Sequence, residues 1–276
     1  MNLFVTGGTG FIGSNFLEKA MENGHKIVGL RRRGSQTRIP LSTQPNWVEG
    51  TLEDNFTEDL KDIDILVHFA SHSPNVPYDS LENCIYWNVV ATLKLFDAAL
   101  EAGIDKFLVA GSSFEYGTSA NLFDKIPPSA PLTPIENYPV SKAMASIMLN
   151  GWAVKNKVKL KILRIFNVYG EGETDTRLWP SLKKEALAGN DFKMTKGEQV
   201  RDFINVKDLA KIFLDELDFS KINKGACEIK NVGSGKSQTV LQFSKYWWKK
   251  WKAKGELLEG ILPYRENEVM QYLPKI

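Results

Sequence analysis

An α/β fold, a doubly wound parallel sheet with a smaller C-terminal lobe, is what the 276 residues predict. Three observations carry that prediction. Short apolar runs alternate with stretches of helical period up to about Phe166, the pattern of a parallel sheet covered on both faces. A glycine cluster directly follows the first run and opens the first helical stretch. Two helical stretches stop at a glycine, Gly24 and Gly103, where a residue in the left-handed region closes a helix.

Taken in order, Asn2–Thr6 reads as a buried strand and Phe11–Asn23 as the helix that Gly24 ends. His25–Leu30, Trp47–Glu49 and Ile63–Ala70 are the next three strands. A helix over Tyr86–Ala102 ends at Gly103 and leads to a strand over Lys106–Gly111. The five prolines of Lys125–Pro139 predict a surface loop without regular structure. A helix over Val140–Lys155 then leads to the strand Lys159–Ile165. Lys142 is the one charged residue in Val140–Val154, so that helix is apolar around most of its circumference. Such a helix is covered on both sides. One side faces its own sheet; the other faces either its own chain or a second subunit, as in a homodimer.

Beyond Phe166 the rhythm breaks, and strand–helix–strand units are not expected to recur. The reading is a doubly wound domain over 1–165 and a second, smaller lobe over 166–276, with an interdigitated boundary. There is no internal repeat and no low-complexity tract.

Composition sets the class. Hydrophobic residues make up 43% and charged residues 25%, average for a soluble globular protein. The net charge of +2 gives no electrostatic reason to expect nucleic acid or a membrane surface. No apolar run approaches the roughly 18–20 residues of a membrane span. The N-terminus shows neither a basic region nor a cleavage site, so no signal peptide is expected. Two cysteines, Cys84 and Cys227, form no framework and suit a reducing cytoplasm.

The chemistry begins at Thr6-Gly7-Gly8-Thr9-Gly10-Phe11-Ile12-Gly13. Glycines there permit a tight turn, close backbone approach to a pyrophosphate and close helix–sheet packing, with the helix N-terminus facing the phosphates. A glycine triplet alone is weak, but the strand–turn–helix context is the one a Rossmann-type dinucleotide site requires. Gly7, Gly10, Phe11, Ile12 and Gly13 are the candidate pyrophosphate contacts.

Tyr138 and Lys142 stand four apart and so share a helix face. A nearby ammonium favours the phenolate, which makes the phenol a usable acid–base group near neutral pH. Ser112, at the end of a parallel strand, sits where such sheets place their ligands and is suited to hold a carbonyl or alcohol oxygen. A Tyr-x-x-x-Lys spacing alone is usually an ordinary helix surface; the glycine turn and strand-end serine make these three a candidate catalytic set.

The end of the second strand discriminates between cofactors. NAD enzymes place an acid about 20 residues beyond the glycines, on the ribose 2′-hydroxyl. Here that place reads Leu30-Arg31-Arg32-Arg33. A guanidinium pairs with a 2′-phosphate in fork geometry, so Arg31 and Arg32 point to NADP(H), with NAD as the alternative. A solvated basic turn is the plainer reading of the same residues.

These motifs together resemble the extended, nucleotide-sugar-modifying branch of the short-chain dehydrogenase/reductase superfamily. The resemblance runs through nearly the whole chain. It includes His68-Phe69-Ala70, Asn88 with Thr92, Ser112-Ser113-Phe114-Glu115-Tyr116-Gly117 and Tyr138-Pro139-Val140-Ser141-Lys142. Arg164-Ile165-Phe166-Asn167-Val168-Tyr169-Gly170, Arg201-Asp202-Phe203 and Asn231-Val232-Gly233 continue it. It implies cofactor contacts from Thr51, Leu52, Phe69 and Ala70. It further implies substrate contacts from Ser113 and Asn167, diphosphate contacts from Arg201 and Arg265, and a nucleotide pocket lined by Leu178 and Phe203. Where the family's adenine-contacting Asp stands, this chain has Thr51, with Asp54 three positions later. The Gly-Pro that usually closes the Asn167 motif is Gly170-Glu171.

The resemblance also sorts reactions. Dehydratases of the branch carry Asp-Glu after the catalytic hydroxyl residue; here Ser113 and Phe114 stand there, and neither shuttles a proton. The expected activity is therefore NADPH-dependent reduction of a keto group, at carbon four, of a nucleoside-diphosphate 6-deoxyhexose. Tyr138 would donate the proton, Lys142 would lower its pKa and hold the ribose, and Ser112 would bind the carbonyl oxygen. An epimerase with tightly bound NAD is the alternative. A dinucleotide-sensing regulator is a distant third, since it has no need of the tyrosine–lysine pair.

Three lookalikes are set aside. His68 and His72 have metal-pair spacing but lack a third ligand nearby. Gly233-Ser234-Gly235-Lys236-Ser237 resembles a phosphate loop, yet the pattern needs glycine where Lys230 stands. Tyr246–Lys252 mixes aromatics and lysines, but Phe243, Trp247 and Trp251 recur as a buried helical stripe rather than a base-stacking platform.

Overall fold

The computed structural model describes residues 1–265 and 268–276. Its first half alternates as expected: β1 (Asn2–Thr6), α1 (Phe11–Glu22), β2 (Lys26–Arg31), β3 (Asn46–Glu49), β4 (Ile65–His68), α2 (Leu81–Ile85), α3 (Thr92–Glu101), β5 (Lys106–Ser112), α4 (Asn137–Asn156) and β6 (Lys159–Ile165). The second half comprises β7 (Asn167–Tyr169), α5 (Leu178–Ala188), β8 (Phe192–Lys193), β9 (Val200–Asn205), α6 (Val206–Asp215), β10 (Cys227–Val232), β11 (Ser237–Thr239), α7 (Val240–Lys250), β12 (Leu257–Leu258) and β13 (Gln271–Tyr272).

Seven parallel strands form the main sheet in the order β10-β6-β5-β4-β1-β2-β3. The order reverses beside β1 and β4, and doubly wound sheets bind ligands at such a switch point, beyond the carboxyl ends of the strands. Side chains alternate across β1. Leu3 and Val5 pack with Phe16, Leu17 and Phe213 on one face, and Phe4 packs with Leu66, Phe96 and Phe107 on the other.

The doubly wound sheet holds, with differences at particular places. The strand–helix–strand pattern does recur beyond Phe166. α6 packs its Leu209 and Phe213 into the core beside α1, and β10 pairs with β6 in the main sheet. The signal was weak because β7, α5, β8 and β9 intervene before the pattern resumes. A four-stranded sheet, with β9 flanked by β7, β11 and β13, forms the second layer of strands. The predicted helix over Tyr86–Ala102 begins earlier, at α2, capped by Ser80 Oγ on the Asn83 N–H at 3.2 Å. It then passes through a π-helical turn at Tyr86–Ala91 into α3.

α4 likewise begins earlier than Val140. Pro139 sits in its first turn, where the missing N–H is no loss, and Tyr138 and Lys142 share one helix. The proline-rich stretch lacks helix and strand only as far as Glu136, its last three residues belonging to α4, and it is not wholly superficial. Ile126 and Ala130 are buried with Tyr116, Phe166 and Tyr272. On α7, Phe243 is buried, Trp247 and Trp251 are half-buried, and Trp248 is the deeper tryptophan, its Nε1 donating to the Gly255 carbonyl at 2.9 Å.

Candidate active site

A cavity of about 960 Å³ lies along the carboxyl ends of β1, β2, β4, β5 and β6. The β1–α1 turn forms one wall. Gly7 holds φ +68°, and a Cβ there would stand 2.4 Å from the Ala70 nitrogen. A Cβ on Gly13 would stand 2.2 Å from the Gly7 carbonyl oxygen, so α1 packs against the turn only because both are glycine. No side chain caps α1 at Gly10, which leaves the first-turn N–H groups and the positive end of a 12-residue helix facing the cavity. That arrangement suits a pyrophosphate. Gly7, Gly10, Phe11, Ile12 and Gly13 all line it, as do Thr51, Leu52, Phe69 and Ala70. Asp54 does not line it; its carboxylate accepts the Thr51 N–H at 2.8 Å and closes the turn.

At the end of β2 the arginines separate. Arg31 lines the cavity while its guanidinium pairs with Glu49 at 3.0 Å and lies 5.2 Å from the Trp47 ring centroid, with Nε buried and unpartnered. Arg32 lines the cavity, and so does Arg38, which lies in a stretch of sequence without a recognisable motif. Glu173 is the one acidic side chain on the cavity wall among the described residues.

The catalytic candidates come together. Ser112, Tyr138 and Lys142 line the same cavity and are each nearly buried. The Tyr138 ring packs 5.7 Å from Tyr78, and the hydroxyls of Ser71 and Ser112 lie beside its phenol. Burial outweighs those hydroxyls and pushes the phenol up to about 12, so it carries its proton at neutral pH. Lys142 does not reverse this. Its Nζ donates to the Ala110 carbonyl at 2.8 Å, and burial pulls its own pKa down while the Glu115 carboxylate opposes that. The Ser112 Oγ accepts the Phe114 N–H at 3.2 Å, which leaves its hydrogen free for the cavity.

Neighbouring groups hold this set in place. Asn88, in the π turn, donates to Ser141 Oγ at 2.9 Å and accepts the His72 N–H at 2.7 Å, pinning the Ser71–His72 segment to α4. His68 is buried beside Thr6 Oγ1 at 2.8 Å, and burial drives its pKa to about 3, so it is a neutral structural imidazole. No group of three metal-ligating side chains occurs among the described residues.

The expected substrate residues divide. Ser113 and Asn167 line the cavity, whereas Leu178, Arg201, Phe203 and Arg265 do not. Arg201 is bound to Glu268 at 2.7 Å and to the Val200 and Met270 carbonyls. Phe203 stacks on Phe243 with centroids 4.0 Å apart. Leu178 is the first residue of α5, half-buried beside the cavity-lining Arg177. Arg265 is exposed and acts with Arg177 on the Tyr78 phenol.

Besides Arg38, the wall holds Glu173 and Arg177, which no motif in the sequence marks. The Glu173 side chain is 7% exposed, faces Arg177 Nε at 3.6 Å, and leaves Oε2 buried without a partner. Burial pushes its carboxyl up to about 7 against the pull of Arg177. The only sequence signal was a Glu–Arg pair four apart in an otherwise irregular stretch.

The glycine turn, the switch-point cavity and the serine, tyrosine and lysine gathered there are those of an extended short-chain dehydrogenase/reductase. Within that class the chain belongs to the NAD dependent epimerase/dehydratase family, whose sequence model matches residues 3–232. It is 31% identical over 249 residues to the low-salt glycan biosynthesis protein Agl12 of Haloferax volcanii, covering 85% of this chain and 77% of that one. It is 28% identical over 264 residues to the UDP-glucose 4-epimerase of Corynebacterium glutamicum, covering 88% and 78%. The solved UDP-glucose 4-epimerase of Thermotoga maritima, bound to UDP-glucose, superposes with a TM-score of 0.87 at 25% identity, over 100% of this chain and 90% of that one.

Proposed function

We propose that the protein is a nucleotide-sugar 4-epimerase. One observation carries the reading: Tyr138, Ser112 and Lys142 converge on a cavity whose opposite wall is the glycine turn, in a chain similar along most of its length to UDP-glucose 4-epimerases. This replaces the expected 4-ketoreductase as the leading reading.

Gly7, Gly10, Gly13 and the first turn of α1 would hold a nicotinamide dinucleotide, which when bound supplies the two-electron acceptor and donor for interconverting an alcohol and a ketone. The protein's own residues do the rest. Tyr138, once deprotonated, takes the proton from the carbon-four hydroxyl and returns it to the same oxygen after the ketone has turned over. Ser112 donates a hydrogen bond to that oxygen and fixes it beside the phenol. The resting phenol keeps its proton, so the phenolate forms only with substrate and dinucleotide bound; Lys142, one helical turn away, is the cation proposed to stabilise it then. Elimination of water is not expected, because Ser113 and Phe114 bring no carboxylate and Glu115 is fully committed elsewhere. Arg177 and Arg265, which both act on Tyr78, are the proposed contacts for the substrate diphosphate.

The second reading is an NADPH-consuming reductase. It is favoured by Arg32 and Arg38 on the cavity wall with no acid at the end of β2. One experiment separates the two. The dinucleotide carried through purification is identified, and UDP-hexoses are offered with NAD or NADPH. Tightly held NAD with 4-epimer formation and no net change in reduced dinucleotide is the expected result. Exchangeable binding favouring NADPH, with stoichiometric consumption, would install the reductase.

A further inference from the structure

We propose that Glu115 is a positioning residue that sets the Ser112 hydroxyl against the helix carrying Tyr138 and Lys142. This rests on the reading of Ser112 as the residue that holds the reacting oxygen.

Glu115 is wholly buried, and each carboxylate oxygen is used. Oε1 accepts the Ser112 N–H at 2.7 Å. Oε2 accepts Ser146 Oγ at 2.7 Å and Arg164 Nε at 2.8 Å. Tyr138, Lys142 and Ser146 follow one another at four-residue steps on α4, hence on one face of it. A single carboxylate thus joins the end of β5, where Ser112 sits, to the helix face that presents the acid–base pair, and anchors both to β6 through Arg164.

Stability alone does not account for this arrangement. A buried ion pair is on balance no better than apolar residues of the same volume, whereas one with a rigid, fully satisfied geometry fixes positions. The network is satisfied further out as well. Arg164 Nη1 donates to the Pro128 carbonyl at 2.9 Å, and the Tyr116 hydroxyl donates to Asn231 Oδ1 at 2.5 Å. Ser112 and Glu115 also cap the short helical turn at Ser113–Tyr116 reciprocally, so the Ser112 backbone cannot turn without breaking the Glu115 bond.

The test is a set of double-mutant cycles on the dinucleotide-loaded enzyme with UDP-glucose. Glu115→Gln should lower kcat about 10–100-fold, the scale of losing one well-aimed hydrogen bond to a reacting oxygen. Ser146→Ala, which spares the ion pair and so the fold, should lower kcat roughly 3–10-fold. KM should move by less than about twofold in both. In a Ser112→Ala background each should cost less than about twofold, because the group they position is gone. Losses that multiply instead would overturn the proposal. Hydrogen exchange of the segment spanning Ser112 needs no substrate. It should quicken about tenfold in both variants, and unchanged exchange would also overturn the proposal. A wild-type enzyme inactive on nucleotide sugars, or a silent Ser112→Ala, would instead sink the functional reading while the exchange result still decides this one.

Discussion

Glu173 makes the sharpest case at the residue scale. Its carboxyl is lifted to about 7 by burial, with one oxygen unpartnered in the cavity wall. The unfolded chain releases this proton near pH 4.5, the folded protein near 7. Below about pH 4.5 the two states bind the proton equally; as pH rises toward 7, the unfolded state is increasingly favoured. Glu173→Gln should therefore raise the melting temperature at pH 8, by the equivalent of roughly 3 kcal/mol, and the gain should vanish by pH 4.5. Thermal melts of both proteins across that range check it, and a gain independent of pH would refute the burial account. The contrast with Ser112, Tyr138 and Lys142 shows what a sequence conceals. Those three announced themselves because spacing on one helix and position at a strand end are local facts. Glu173 is important only because the fold shuts water away from it and turns it toward the cavity, and neither condition is written in its neighbours. Arg201 and Phe203 are the opposite case. Their motif is present, yet Glu268 and Phe243 take up the side chains.

Helices and strands were legible wherever one period ran unbroken. β1, β2, β5 and β6 fall within a residue or two of their expected ends, and Gly24 and Gly103 close their helices at φ +77° and +96°. Legibility failed where the backbone changes type within one element, as in the π turn over Tyr86–Ala91, and where intervening segments separate a unit, as between β6 and β10. The sequence predicts the apolar circumference of α4 and leaves its second partner open between this chain and another. In the structure Ile147 is 64% exposed, and Met144, Tyr86 and Val90 are exposed on the same flank or on the neighbouring helical segment. We propose that a second copy covers this face. Ile147→Glu should then convert a dimer into a monomer in light scattering while leaving the circular dichroism spectrum unchanged. A wild-type protein that is monomeric at high concentration would contradict the proposal.

Across the whole molecule, the doubly wound sheet places three separate pieces of sequence at one edge: the glycine turn after β1, Ser112 at the end of β5, and the tyrosine–lysine face of α4. The C-terminal half contributes β10 to the main sheet and α6 to the layer packed on it, while Asn167 and Val168 of β7 and the Glu173–Arg177 segment line the cavity. No helix among the described residues is long and apolar enough to cross a membrane. The central claim is that this assembly inverts carbon four of a nucleotide sugar by reversible oxidation, with Tyr138 as the proton carrier. UDP-glucose deuterated at carbon four tests it most directly, with products followed by mass spectrometry and NMR. The account predicts UDP-galactose that keeps its deuterium, no net gain or loss of reduced dinucleotide, and no product from the Tyr138→Phe protein. Deuterium exchanged for solvent hydrogen, or epimer formed as readily by Tyr138→Phe, would contradict it.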